Sequence, residues 1–113
     1  MFAGPTRALA AMAALLASIG VAQAAGDVVA GKALAAKCEA CHGLDGLSKI
    51  PEAPNIAGQV ENYLVKQLTA FKGGERQNDM MSAIAPSLSE ADIADLAAYY
   101  AAIEIAVGRI PGK

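Results

Sequence analysis

Tryptophan is absent from this sequence, histidine occurs once, cysteine occurs twice, and no run of basic residues appears anywhere. Each of these gaps excludes something. A single histidine, His42, rules out any site that takes two imidazoles from one chain. Without a basic stripe, and with a formal net charge of −2, nucleic acid is not an expected partner. No glycine-rich phosphate cradle, internal repeat or low-complexity tract is present. Large aromatics are scarce too: two Phe, of which Phe2 lies at the extreme N-terminus, and three Tyr. A chain of this size with so little to pack needs something else inside it.

The first residues are set apart from the rest. One positive charge, Arg7, precedes the uncharged apolar stretch "ALAAMAALLASIGVA", and Ala22-Gln23-Ala24 is the small-x-small pattern that a signal peptidase accepts. The run is Ala-rich and weaker than the roughly 20 strongly apolar residues of a spanning helix. Residues 1–24 are therefore expected to be a cleaved secretory leader and 25–113 the folded domain, exported and with no stable membrane span. The part after the leader has eight basic against eleven acidic side chains.

What is present is concentrated in five residues, Cys38-Glu39-Ala40-Cys41-His42, which hold both cysteines and the only histidine. An oxidising compartment first suggests a disulfide, but a loop this short constrains the unfolded chain little. A redox-active Cys-x-x-Cys sits at the start of a helix in a βαβ setting, whereas here a helix-like segment precedes the motif. A structural zinc site needs more ligands than one His and two Cys supply. Covalent haem attachment uses all three side chains: each thiol adds to a vinyl group, and the adjacent imidazole reaches the iron.

With one histidine, the second axial ligand has to be something else. A thioether is the strong candidate, and beyond residue 24 only Met80 and Met81 offer one, in the irregular segment "GGERQNDMM". For one of this pair the expected role is filling a gap in the core.

The remaining pattern is helical, without a convincing strand. Asp27 is placed to cap a helix through "VVAGKALAAK", with Val28, Leu34 and Ala35 facing inward. A Gly- and Pro-rich loop follows the motif. Val60, Tyr63, Leu64, Gln67, Leu68 and Phe71 share one face of a second helix that Gly73-Gly74 ends. Ser89-Glu90-Ala91-Asp92 opens a third in the manner of a capping box, with Ile93, Leu96, Ala97, Tyr100 and Ile103 as its apolar positions.

Taken together, "AGDVVAGKALAAKCEACHGLDG", "PNIAGQ", "YLVKQLTAFKGGER" and "MMSAIAPSLSEADIADLAAYYA" make residues 25–113 resemble a class I c-type cytochrome. The resemblance is to the small monohaem periplasmic kind (cytochrome c553-like), similar to one half of the dihaem cytochrome c4 proteins. It implies an all-α, compact cytochrome c domain of three main helices wrapped around one covalent haem c. It also implies that Gly31 meets Tyr99 or Tyr100 where the first and last helices cross. Carried over residue by residue, it implies thioether links at Cys38 and Cys41, and His42 and Met81 on the iron. In the same way it places Pro54 as acceptor for the second imidazole nitrogen, and Gln59, Tyr63 and Arg76 near the haem edge or propionates. Only one motif is present, so any interaction between haems requires a second chain.

The expected function is one-electron transfer between a donor and an acceptor redox protein of a respiratory chain, with no catalysis by the chain itself. One alternative is a haem subunit held permanently by a dehydrogenase or oxidase. Another is a thiol-disulfide oxidoreductase using Cys38 and Cys41.

Overall fold

The computed structural model describes residues 1–5 and 25–112. The expected leader at 1–24 thus falls almost entirely outside the described residues. Among the described residues helix is the only regular structure and no strand occurs.

Helix α1 spans Val28–Leu34 and starts where Asp27 accepts from the N–H groups of Val29 and Ala30 at 2.8 and 3.1 Å. That cap satisfies donors the first turn leaves orphaned. The helix expected through Lys37 tightens at Ala35–Lys37 into a 3-10 turn, and α2, Glu39–His42, follows directly. The motif is thus itself a helical turn, closed by the His42 N–H on the Cys38 carbonyl at 2.9 Å. Cys38, Cys41 and His42 stand at i, i+3 and i+4, the spacing that puts three side chains on one face.

Helix α3 spans Glu61–Gly73 and stops at Gly74. The segment expected to be irregular, 73–81, runs from the end of α3 to Met81, the first residue of the single-turn α4, Met81–Ile84, which a 3-10 turn at Ala85–Ser87 continues. Helix α5, Glu90–Ala101, opens with a complete capping box: the Ser89 hydroxyl accepts from the Asp92 N–H and the Asp92 carboxylate accepts from the Ser89 N–H, both at 3.0 Å. The carboxyl of Asp92 is held below its ordinary range, chiefly by that Ser89 N–H.

Helices α1 and α3 both pack on α5. The core between them consists of Ala35, Leu64, Leu88, Ile93, Leu96, Ala97 and Tyr100. Ile93 and Leu96 are each 2% exposed, so each contributes about 1.5–3 kcal/mol of burial. Several expected inward positions lie elsewhere. Val28 is exposed although it shares a helical face with Gly31, because it is the first residue of α1. Val60 precedes the first turn of α3 in extended backbone and is exposed, as is Tyr63. Ile103 lies beyond the end of α5 yet packs, half-buried, against the core as expected.

Gly31 sets the distance of α1 from α5. A Cβ at this position would collide with the Asp95 carbonyl oxygen and come within 2.8 Å of the Tyr99 Cβ. The obstacle is backbone, which cannot rotate away as a side chain can. Of the two tyrosines that resemblance offered, Tyr99 faces Gly31, while Tyr100 points into the core.

Gly31→Ala gains helix propensity of about 1 kcal/mol, yet it forces the two helices apart. The expected net effect is a loss of about 1–3 kcal/mol, in the range for overpacking, read as a lower midpoint in guanidinium unfolding.

Candidate functional site

The residues singled out from the sequence converge on one cavity of about 390 Å³. Cys38, Cys41, His42, Pro54, Gln59, Tyr63, Arg76 and Met81 all line it, and so does Met80. Each arrives on a different part of the fold: the thiols and imidazole from α2 and the residue before it, Pro54 from the loop, Tyr63 from α3, and the methionines from the start of α4. This explains why Tyr63 stays out of the core although Leu64 beside it is buried there. Leu64, Gln67, Leu68 and Phe71 on α3 line the cavity too, so the apolar face of this helix serves the cavity as much as the packing.

His42 is buried, at 9% exposure, and its Nδ1 lies 2.9 Å from the Pro54 carbonyl oxygen. A carbonyl only accepts, so Nδ1 carries the proton and the lone pair sits on Nε2. This arrangement fixes ring orientation and strengthens the free nitrogen as a metal donor.

The turn beyond His42 is held from a distance. Gly43 takes φ 71° and ψ 158°, a conformation that a residue with a Cβ adopts only with strain. The Tyr100 hydroxyl donates to the Gly43 carbonyl at 3.0 Å, and the Tyr99 hydroxyl donates to the carbonyl of Leu44. Two adjacent side chains of α5 therefore clasp the chain immediately after the imidazole. The loop then closes on itself, with the Lys49 N–H on the Cys41 carbonyl at 2.8 Å and the Ile56 N–H on the Gly46 carbonyl at 2.8 Å. Sequence reasoning assigned the tyrosines only to packing, because nothing in the spacing of 43 and 100 announces a hydrogen bond.

Both thiols are free and half-buried. Burial raises the Cys38 pKa above 9.0, outweighing the Tyr100 hydroxyl and Lys37, which act in the opposite direction. A thiol-disulfide oxidoreductase needs a thiol shifted downward. Burial also pushes the Tyr100 phenol upward, so its hydroxyl stays a donor across the physiological range.

On the methionine side, neither sulfur-bearing residue belongs to the core: Met80 is 37% exposed and Met81 half-buried. The expected gap-filling role for one of the pair therefore does not hold. Arg76 donates to Gln67 Oε1 at 2.7 Å and its guanidinium lies 4.6 Å from the Phe71 ring centroid. Gln59 turns back on its own chain, its Oε1 accepting from the Val60 N–H at 2.8 Å.

The donor set suits a covalently held metalloporphyrin: two thiols and an imidazole on one helical face, a free Nε2, and thioethers in the same apolar cavity. The family model for cytochrome c matches residues 28–102. The chain belongs to the cytochrome c family. This cytochrome c therefore carries one covalent c-type haem at its Cys-x-x-Cys-His motif.

Cytochrome c-554(548) of Halomonas halodenitrificans is 42% identical over 83 residues, covering 71% of this chain and 100% of that protein. Cytochrome c4 of Pseudomonas aeruginosa is 49% identical over 89 residues, covering 79% of this chain but 44% of the relative. Among solved structures, reduced recombinant cytochrome c4 from Pseudomonas stutzeri superposes with a TM-score of 0.68 at 41% identity, covering 74% of this chain and 49% of that one. The chain thus spans about half the length of the cytochrome c4 proteins it matches. No helix among the described residues is long and apolar enough to cross a membrane.

Tyr100→Phe removes the donor to a buried carbonyl while keeping the ring. It should cost about 1–3 kcal/mol in denaturant unfolding, and Tyr99→Phe, at a more exposed bond, should cost less.

Proposed function

We propose that this cytochrome c is a one-electron carrier whose haem is ligated by His42 and Met81. The observation that carries the reading is the Nδ1 contact of His42 with the Pro54 carbonyl, which leaves Nε2 facing a cavity that thioethers also line. The haem supplies a ferric/ferrous couple, and the protein's part is to hold the ring, set its potential and keep water from it. Cys38 and Cys41 anchor it. His42, its ring oriented by the Pro54 carbonyl, and Met81 would supply the protein's two ligands to the iron. A thioether favours the ferrous state and so raises the potential. With both positions filled there is no open site for a small-molecule substrate, and the chain is a carrier and not a catalyst.

The roles of Gln59, Tyr63 and Arg76 at the haem edge or propionates are part of the same proposal, and Arg76 is the natural counter-charge to a propionate. So is export: Arg7, the apolar run and Ala22-Gln23-Ala24 support a leader at 1–24 and a periplasmic home for 25–113. The partners are a donor and an acceptor redox protein that meet this chain briefly. A second reading, a subunit held by a dehydrogenase or oxidase, draws on the exposed Ile105, Val107 and Ile110 near the C-terminal end. Obligate interfaces are the more hydrophobic class.

The deciding experiment is an intact mass with a reduced-minus-oxidised spectrum, on protein exported alongside a haem-maturation system. A covalent haem on a chain starting at Ala25, low-spin with His/Met character, is expected; a colourless chain would sink the reading. Met81→Ala should lower the potential by at least ~59 mV, a tenfold loss of ferrous preference for one electron, and admit external ligands, while Met80→Ala should do neither. The reverse pattern would move the ligand to Met80.

Steering by the acidic surface should make the association rate with a basic redox partner fall as salt rises, since screening shortens to about 10 Å at 0.1 M. Stopped-flow electron-transfer rates that ignore ionic strength would contradict it.

A further inference from the structure

The two sides of the cavity are held with unequal security. The imidazole side is tied by the Pro54 carbonyl and by hydroxyl donors from Tyr99 and Tyr100, across separations of 55 and 57 residues in the tyrosine case. On the methionine side the ties flank the methionines and span fewer residues, as where Arg76 donates to Gln67 Oε1 nine positions away. Residues 72–80 are all exposed, and α4 contains no buried residue. Its C-terminal end is anchored, because Ala85 and Leu88 are buried and the Lys72 ammonium donates to the Leu88 carbonyl. Its N-terminal end, where Met81 sits, has no comparable anchor in the core.

Asn78 supplies that hold. Its Oδ1 accepts from the N–H of Met80 at 3.0 Å and of Met81 at 3.1 Å, the second and third residues after it, the spacing of a capping side chain on the turn that leads through Met80 into α4. Its own N–H donates to the Ser82 hydroxyl at 3.0 Å, and the Ser82 N–H donates to the Asn78 carbonyl at 2.8 Å. The turn from Asn78 to Ser82 is thereby closed by reciprocal hydrogen bonds between its two ends. A helix of one turn has no stability of its own, since nucleation fixes several residues for one hydrogen bond. With no buried side chain to help, the direction in which Met81 projects depends on this cap.

We propose that Asn78 is the positioning residue for the axial methionine: by capping the turn that bears Met81, it keeps the sulfur on the iron and external ligands off it. This rests on the reading of Met81 as ligand. It adds that the strength of that ligation is set by a side chain that does not itself bind the metal. Asparagine supplies the capping oxygen without placing a charge beside the haem, where a carboxylate would favour the ferric state over the ferrous and so lower the potential.

The test uses the haem-loaded protein and measures the apparent affinity of the ferric form for imidazole, with the methionine-to-iron charge-transfer band as a second readout. Asn78→Ala should bind imidazole about tenfold more tightly, the size expected from losing one N-cap, and its charge-transfer band should weaken. Asn78→Asp, which keeps the capping oxygen, should restore both to near the starting values even though its charge shifts the potential. Ser82→Ala, which removes the reciprocal partner, should fall between, and it supplies the readout if Asn78→Ala fails to fold. Imidazole affinity in Asn78→Ala equal to that of the unaltered protein, with Met81→Ala strongly increased, would overturn the role of Asn78 alone. No change in Met81→Ala would remove the methionine reading, and the proposal with it.

Discussion

The approach of α1 to α5 at Gly31 is the constraint on which the rest of the molecule depends. Because only hydrogen stands between that Cα and the Asp95 carbonyl, the two helices meet closely enough for Ala35 to be fully buried against α5. The end of α1 then delivers Cys38 to the cavity, and the same α5 turns its tyrosine hydroxyls onto Gly43 and Leu44. One crossing thus fixes both the approach to the motif and the exit from it. Imidazole orientation follows, since the loop that begins at Gly43 brings Pro54 back to Nδ1.

The cost of that arrangement is a divided interior. An apolar helix face that would ordinarily close a core is spent on a cavity, as Leu64, Leu68 and Phe71 show. The polypeptide has few aromatics to compensate. Whatever binds the folded chain and not the unfolded one adds to its stability, and a group linked through two cysteines stays at high effective concentration. Folding and cofactor retention are for this reason one thermodynamic problem.

The cavity is also asymmetric in stiffness. Hydrogen bonds of long sequence separation hold the imidazole side, and a single capped turn on exposed chain holds the methionine side. Regions with few buried contacts open most easily. Under the proposed ligation by His42 and Met81, the firm half would keep the haem oriented while the looser half would tune how strongly the sixth position is occupied.

Much of this was legible in the residues. The motif at 38–42 stated its chemistry through spacing alone, because i, i+3 and i+4 share a face in the backbone conformation that the flanking helix imposes. Asp27, Ser89 with Asp92, and Gly74 marked helix ends, since caps act within a few residues of where they sit. The all-helical class followed from periodicity.

What spacing could not state was the destination of each apolar face. Val28 and Val60 fit the inward pattern and lie outside, and α3 looks into a cavity that no periodicity distinguishes from a core. Tyr99 and Tyr100 read as packing residues, although their hydroxyls hold the turn at 43–44. The Asn78 cap lay inside a segment that reads as loop, and the α4 turn that begins at its last residue is too short to leave a periodic trace. The sequence by itself determined the local chemistry and the helix ends, which depend on neighbours a few positions apart. Only the tertiary structure decided which faces meet, how closely, and which distant donors reach which carbonyls, because those depend on one backbone packing against another.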